Sequence, residues 1–480
     1  MRIWRRLGRG VVGAGLMVTL AGGAWAATFI VNNAADTTDG TCDNTAGGCT
    51  LREAIEQSVV TPGRDTILFD GAVFPVGETN TPIDLGSALP MIADPAGTVV
   101  DGVGASVRIN GGGTVDNGLV FGSGPGQPLT KVTVANVIVS GFTGTAVYIC
   151  GGTPPTCGED VSSTVVRNVV ANATTDGDGI RVDGHVVSKT AITNAVAFHI
   201  GGIGIHVFGD PTIVGARVEG STARDCDQGG IFLIATGDVS GGVITNSTGV
   251  QNGGVGLAIF GDALSKPTVT HAVAHQNDGD GIILHADTSA TGATISDAAA
   301  SLNNSGIILA GTGAKSAPAL GNVESDVNTA DGIALLGVTT GAKITDAVSA
   351  GNQGRGLALP DGATGAKLTR VTAAGNGLSG GDGVSLAAAT STLQQVRSSG
   401  NLGDGIVLGA AAGGNTVSKC AAAANEGSGI SIADQNGGNV VQKNAALGNT
   451  VDDLFDGNST CDANTWKANV FQTGSQPCIH

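Results

Sequence analysis

Charge and aromatic rings are scarce in this sequence. Charged residues make up 13% and aromatic residues 3% of its 480 positions, with a single Tyr, where an average domain is about 25% charged. Helical bundles and coiled coils need Glu, Lys, Leu and Arg in quantity, so those classes are set aside. No segment reaches the ~20 consecutive apolar residues of a membrane-spanning helix. Glycine does not fall at every third position, which excludes collagen. The 23 basic residues are outnumbered by 40 acidic ones, for a net charge of −17, so the basic footprint of a nucleic-acid binder is missing. Disorder is excluded by 41% hydrophobic residues spread along the chain.

Glycine is what the sequence has in excess, 80 residues, more than double the usual ~7%. An all-β chain with many tight turns accounts for it, since Gly is the default turn residue. The first 26 residues read as a secretory leader. Arg2, Arg5, Arg6 and Arg9 precede a short apolar run, Val11 to Leu20, and Ala24-Trp25-Ala26 fits a cleavage site. The expected location is outside the cytoplasm: extracellular, cell surface or periplasm. Eight cysteines in an exported chain imply disulfides. Three close pairs stand out, Cys42 with Cys49, Cys150 with Cys157, and Cys461 with Cys478. Cys226 and Cys420 are left over and are expected to be unpaired, packed thiols.

A Gly followed by an aliphatic residue recurs eleven times, from Gly179-Ile180 and Gly204-Ile205 to Gly405-Ile406 and Gly429-Ile430. The mean period is about 25 residues, the mark of a stacked repeat. In all eleven, the residue after the Gly and the one two further on are aliphatic, as in Ile180 with Val182 and Ile406 with Leu408. Alternate residues of a strand share a face, so these columns point inward. Asn stands four residues before the Gly at Asn252, Asn277, Asn328, Asn352, Asn401 and Asn425. Asn172 and Asn376 stand seven before, as if displaced by short insertions. Such residues tolerate the left-handed backbone and can bond one another when stacked. The period suits one coil of a parallel β-helix, which buries its inner face only by stacking.

At the front, Cys49-Thr50-Leu51-Arg52-Glu53-Ala54-Ile55 reads as the start of a short capping helix with Leu51, Ala54 and Ile55 on one face. This segment resembles the CSLREA motif of exported bacterial β-helix proteins, with Thr for Ser, and Phe29 to Asn32 and Asp65 to Phe69 fit that motif's surroundings. The Gly-aliphatic coils resemble the right-handed parallel β-helix repeats of pectate-lyase-like and NosD-like proteins. The resemblance implies an exported, all-β, single-stranded right-handed parallel β-helix. The expected layout is a leader over 1–26, an N-terminal cap over 27–65, the β-helix over 66–448, and a terminal coil with a disulfide-closed cap over 449–480. Trp466 is placed to plug the apolar C-terminal end.

Pectate-lyase-like enzymes use the outer face of one sheet, which directs attention to the outer columns beside the Gly-aliphatic strand. Large and polar residues concentrate there between about 145 and 290, and Ala and Ser replace them beyond 310. Arg181, Asp183, His185, His206 and Asp210 are the candidate catalytic residues, because an Asp beside a His can orient it for acid–base work. Tyr148, Phe208, Phe232, Phe260 and His285 are the candidate ligand-binding residues, offering faces to sugar rings. The competing reading is an outer ladder covered by the Cys150 to Cys157 loop or by another subunit. The Asn-x-Asp, Asp-Asp, Gly-His-Gly and Arg-x-Lys set of polygalacturonase-like hydrolases does not appear in order, and Gly184-His185-Val186 lacks the second Gly. Glycan binding or surface attachment through the outer face of these coils, without catalysis, is therefore expected, with a polysaccharide or surface glycan as partner and a polysaccharide lyase, hydrolase or epimerase as the alternative. No cofactor or metal is assigned. Asp178, Asp280, Asp331, Asp382 and Asp404 are read as solvated turn acids, with weak Ca²⁺ binding as their only ion role.

Overall fold

The computed structural model describes residues 26–43, 45, 48–77, 81–378, 381–410, 413–460 and 463–479. All but the last residue of the expected leader, and Cys461, lie outside the described residues. The chain winds into a parallel β-solenoid of about 15 turns with one short helix. Each coil contributes to two sheets, and the pairing between coils is parallel throughout the described strands.

One coil shows the plan. Ile180–Ser188 forms the first strand, Ala191–Thr193 the second and Val196–Ile200 the third. Lys189 and Asn194 take the left-handed conformation at the bends, each with φ of 51°, and His199 does so within the third strand, with φ of 52°. The next coil begins at Ile203, and Ile180 pairs with Ile205. Coil length flexes at the bends rather than in the strands. The step is 22 residues from Val384 to Ile406 and 27 from Leu357 to Val384.

The predicted inward columns hold. From Ile180 and Val182 to Ile430 and Ile432, each of these residues is at most 2% exposed. The glycine before them has a different role from the one its abundance suggested. Gly179, Gly356 and Gly405 are not left-handed. Each lies under the next coil, where an added Cβ would stand 2.5 Å from the carbonyl oxygen of Gly204, Gly383 or Gly429. Real atoms do not approach so closely, so the glycine is required by contact between coils rather than by a turn.

Beside these glycines runs a buried amide ladder. Asn252, Asn277, Asn303, Asn328, Asn352, Asn376, Asn401, Asn425 and Asn449 follow one another, each Nδ2 donating to the next Oδ1 at 2.8–3.2 Å. Asn376 belongs to it and Asn172 does not. The register pairs Asn172 with Phe198 and leaves Thr174 in the ladder column, opposite Ile200 and then Cys226. Cys226 heads the ladder, its backbone N–H donating to Asn252 Oδ1. Cys420 heads a second run in the same way, bonding Asn444, which bonds Asn469. Among the described residues both thiols are unpaired, and both are buried; burial pushes them up to about 12 and about 11.

The front segment closes the first coil residue by residue. Thr50 and Glu53 form a capping box on the helix Leu51–Val60. Leu51, Ala54 and Ile55 are fully buried. Arg52 grips Asp36 at 2.8 Å and reaches the carbonyls of Ser87 and Ala88, and Cys49 is bonded to Cys42. At the other end Trp466 is 3% exposed and donates to Asp456. Cys150 is bonded to Cys157, and Cys478 is disulfide-bonded. Among the described residues no helix is long and apolar enough to cross a membrane.

Candidate functional site

The outer face of the first strands carries the predicted residues in two columns. Pairing sets Tyr148, Arg181, His206, Phe232, Ala258 and Ile283 in the first. Cys150, Asp183, Phe208, Ile234, Phe260 and His285 form the second. This corrects the placement of Tyr148. Counted four residues on from Gly144, as Asp183 is from Gly179, Tyr148 would fall beside Asp183. Ala146 occupies the anchor position, bonding through its backbone to the Asp178 carbonyl, so Tyr148 stands beside Arg181.

The upper part of the stripe is a closed polar cluster. Arg181 Nη2 meets Asp183 Oδ2 at 2.7 Å, and its Nη1 lies 3.5 Å from Asp178 Oδ2. Asp178 also accepts from His206 Nδ1 at 2.9 Å and from the Ile203 N–H at 2.8 Å. The guanidinium sits 5.5 Å from the Tyr148 ring centre. The Tyr148 hydroxyl lies 3.2 Å from Cys157 Sγ and 3.5 Å from Asp183. Tyr148, Asp178, Asp183 and His206 are all buried, and Cys157 of the Cys150–Cys157 loop packs against Tyr148.

Electrostatics follow the geometry. Burial, then the Asp183 charge, pushes the Tyr148 hydroxyl up to about 12. Burial also raises Asp183, outweighing its bonds to Arg181. Burial works the same way on Asp178, but the His206 hydrogen bond, the His206 charge and the Ile203 N–H prevail and hold that carboxyl below its usual range. Asp178 is thus no solvated turn acid. It was missed as a partner of His206, although its position two residues before Ile180 places it beside the next coil's strand. The other acids in its position act likewise toward the following coil. Asp280, Asp331, Asp382 and Asp404 accept the backbone N–H of Ser305, Arg355, Asp404 and Ser428.

The lower part is more open. Phe208, Ile234, Phe260 and His285 are half-buried. Phe232 is covered, its ring lying over the bare backbone of Gly229 and 6.0 Å edge-on from Phe260. Phe260 is 5.7 Å from the His285 ring, and His285 Nε2 lies 2.9 Å from Asp287. Asp210 is exposed and accepts from the Thr236 hydroxyl at 2.6 Å. His185 is exposed, and the register shift after Gly184 takes it out of the columns. The structure therefore brings Arg181, Asp183 and His206 together and leaves His185 and Asp210 apart from them. Among the described residues no group of three or more His, Cys, Asp or Glu converges as a metal site.

Residues 117–300 and 305–475 match the family model of the right handed beta helix region. The chain belongs to the right-handed β-helix family. No curated protein matches it. Among solved structures, the mannuronan C-5 epimerase AlgE4 A-module of Azotobacter vinelandii is 14% identical, covering 90% of this chain and 97% of that one, with a TM-score of 0.38. Pectate lyase Pel9A is also 14% identical, over 85% of this chain and 79% of its own, with a TM-score of 0.29. The periplasmic alginate epimerase AlgG is 10% identical, over 88% and 83%, with a TM-score of 0.26. At these scores the likenesses carry no inference about substrate or activity.

Proposed function

We propose that this β-helix protein is exported and binds glycans without turning them over, through the patch formed by Phe208, Ile234, Phe260 and His285. The observation that carries the reading is a half-exposed apolar strip on a flat parallel sheet, with Asp210, His285 and Asp287 at its edge. Sugar rings have apolar C–H faces that stack on such rings, and hydroxyls at their rims that carboxylates and imidazole can bond. Exposed apolar patches with polar rims commonly mark ligand grooves. What speaks against turnover is that Arg181 is committed to Asp183 and Asp178.

One observation favours an enzyme instead. Among the described residues His206 Nε2 is buried with no hydrogen-bond partner, while Asp178 holds Nδ1. An imidazole oriented by a carboxylate, with its far nitrogen free, is the arrangement of a general base. A glycan array followed by assays for new reducing ends and for ultraviolet-absorbing unsaturated ends separates the two. Binding that is lost in Phe260→Ala, with no turnover, supports the proposal. Turnover abolished by His206→Ala would overturn it in favour of the enzyme.

A further inference from the structure

The chain is acidic overall, yet the outer bend between the second and third strands becomes basic along its last coils. This bend column reads His271, Asp297, Asn322 and Asp346, then Arg370, Gln395, Lys419 and Lys443, all left-handed. Successive residues are tied by backbone bonds to the strand of the next coil, as Lys419 N–H to the Gln442 carbonyl. Arg397 stands beside the column on the third strand, between Thr372 and Ala421. Arg370, Gln395, Arg397, Lys419 and Lys443 line a groove of about 760 Å³.

Three features separate this groove from scattered surface charge. The segments that build it, 364–376, 389–401, 413–425, 437–449 and 463–475, contain Lys or Arg and no Asp or Glu. Arg370, at the front, is clamped by Asp346 at 2.6 Å. Arg397, Lys419 and Lys443 are exposed and have no ion pair among the described residues. Past the acids Asp297 and Asp346, the column thus turns to cations without ion pairs at Lys419 and Lys443, with Arg397 beside them. Its charges recur at multiples of the ~4.8 Å coil spacing.

We propose that this groove binds an acidic polysaccharide, a chain carrying carboxylate or sulfate groups at intervals along its length. The proposal does not rest on the Phe260 patch, which lies on a different sheet. A regularly charged glycan strand can run along the bend and meet one cation every coil or two. Nucleic acid fits less well. Duplex DNA carries a charge about every 1.7 Å along its axis and would extend past Arg370 onto Asp346 and Asp297. The groove lining has no aromatic side chain on which a single strand would stack.

The test uses the full chain with polygalacturonate and alginate oligosaccharides, neutral dextran, and single- and double-stranded DNA, measured by calorimetry or biolayer interferometry. Uronate oligomers should bind, and binding should weaken about tenfold from low to moderate salt. The triple variant R397Q/K419Q/K443Q should lose binding about tenfold or more with an unchanged melting temperature, because all three side chains are exposed. Neutral dextran should show no such salt-dependent binding, to the wild type or to the triple variant. Equal binding by the triple variant, no uronate binding by the folded wild type, or DNA bound more tightly than the uronates would each overturn the proposal.

Discussion

The coils from Ile180 to Thr291 and those from Ile307 to Ile432 share one inner face and are held together differently outside it. In the early coils the first strands run 9, 12, 7, 11 and 10 residues and carry Arg, His and Phe on their outer side. In the late coils the corresponding strands run three or four residues, with Ala334, Ala358 and Ser385 outside. What the late coils gain is the amide ladder in full, reinforced by Ser325, Ser349 and Ser398, whose hydroxyls donate to the Gly332, Gly356 and Gly405 carbonyls at 2.7 Å. The early columns hold Thr174, Ile200 and Cys226 where the ladder will run. Two sources of adhesion between coils thus succeed one another along one rod, overlapping in the coils that follow Asn252 and Asn277: broad sheet pairing with bulky outer contacts, then a polar spine. A spine leaves the outer face free to be plain, whereas bulky pairing makes it the chemically interesting one.

The sharpest way to break this contrast is to remove one rung. Asn352 donates to Asn376 Oδ1 at 2.9 Å and accepts from Asn328 Nδ2 at 2.8 Å and from the Asn328 N–H at 3.0 Å, fully buried. Asn352→Ala leaves several buried groups without partners, each worth ~1–3 kcal/mol. The expected loss is about 4 kcal/mol in denaturant unfolding, or the first local opening by hydrogen exchange at residues 325–380. A loss below that of a typical surface substitution would remove the ladder from any role in stability.

Phe260→Ala is the matched experiment in the early coils. The ring is half-exposed, so its removal should cost about 1–2 kcal/mol, well under the price of the rung. Its larger effect should be on glycan binding, at least tenfold. If stability falls by as much as in Asn352→Ala, the outer stripe is structural and the binding proposal loses its basis.

The inner architecture was legible because the same apolar alternation returns in every coil, so errors at one coil are outvoted by the others. Six of the nine ladder residues stood at the fixed offset before Gly. Asn303 escaped because Leu302 occupies that offset in its coil, and Asn172 was included on a displacement that the pairing does not contain. The outer site was less legible because each outer residue occurs once. Tyr148 was misplaced by the single weak anchor Gly144. Asp178 was averaged with its column mates as a turn acid, although only it meets a His in the next coil. The bend column from Arg370 to Lys443 was equally periodic, but it lies on the far side from the glycine anchors and was not read.

A smaller effect separates the two halves by pH. In the late coils Asp326 lies beside Glu324, and burial followed by the Glu324 carboxyl pushes it up to about 6. A carboxyl raised on folding favours the folded state when protonated. Its contribution is fully present below the unfolded value near 4 and is lost as pH rises through about 6. The melting temperature should therefore be higher by a few degrees at about pH 5 than at about pH 7.5. Asp326→Asn, which can still accept from the Ala350 N–H, should raise the neutral value and flatten that part of the profile. A wild-type profile already flat over this range would show that the pair is relaxed in solution.

The smallest effect on stability at neutral pH, and the cleanest to observe, comes from Tyr148, the chain's single tyrosine. Its hydroxyl, pushed to about 12, should remain mostly un-ionised at about pH 11, where a free tyrosine is largely phenolate. The stabilisation tied to this shift is complete below the unfolded value near 10 and disappears only as pH climbs through about 12, so nothing is seen near neutrality. Near-ultraviolet phenolate absorbance reads it directly, with no other tyrosine to mask it. Replacing Cys150 and Cys157 by Ser should free the loop that packs against the ring and bring the midpoint back toward 10. A native midpoint near 10 would mean that the loop does not close in solution. The stripe would then be open from Tyr148 to His285, and the early coils would present one continuous surface instead of a sealed polar cluster beside an exposed patch.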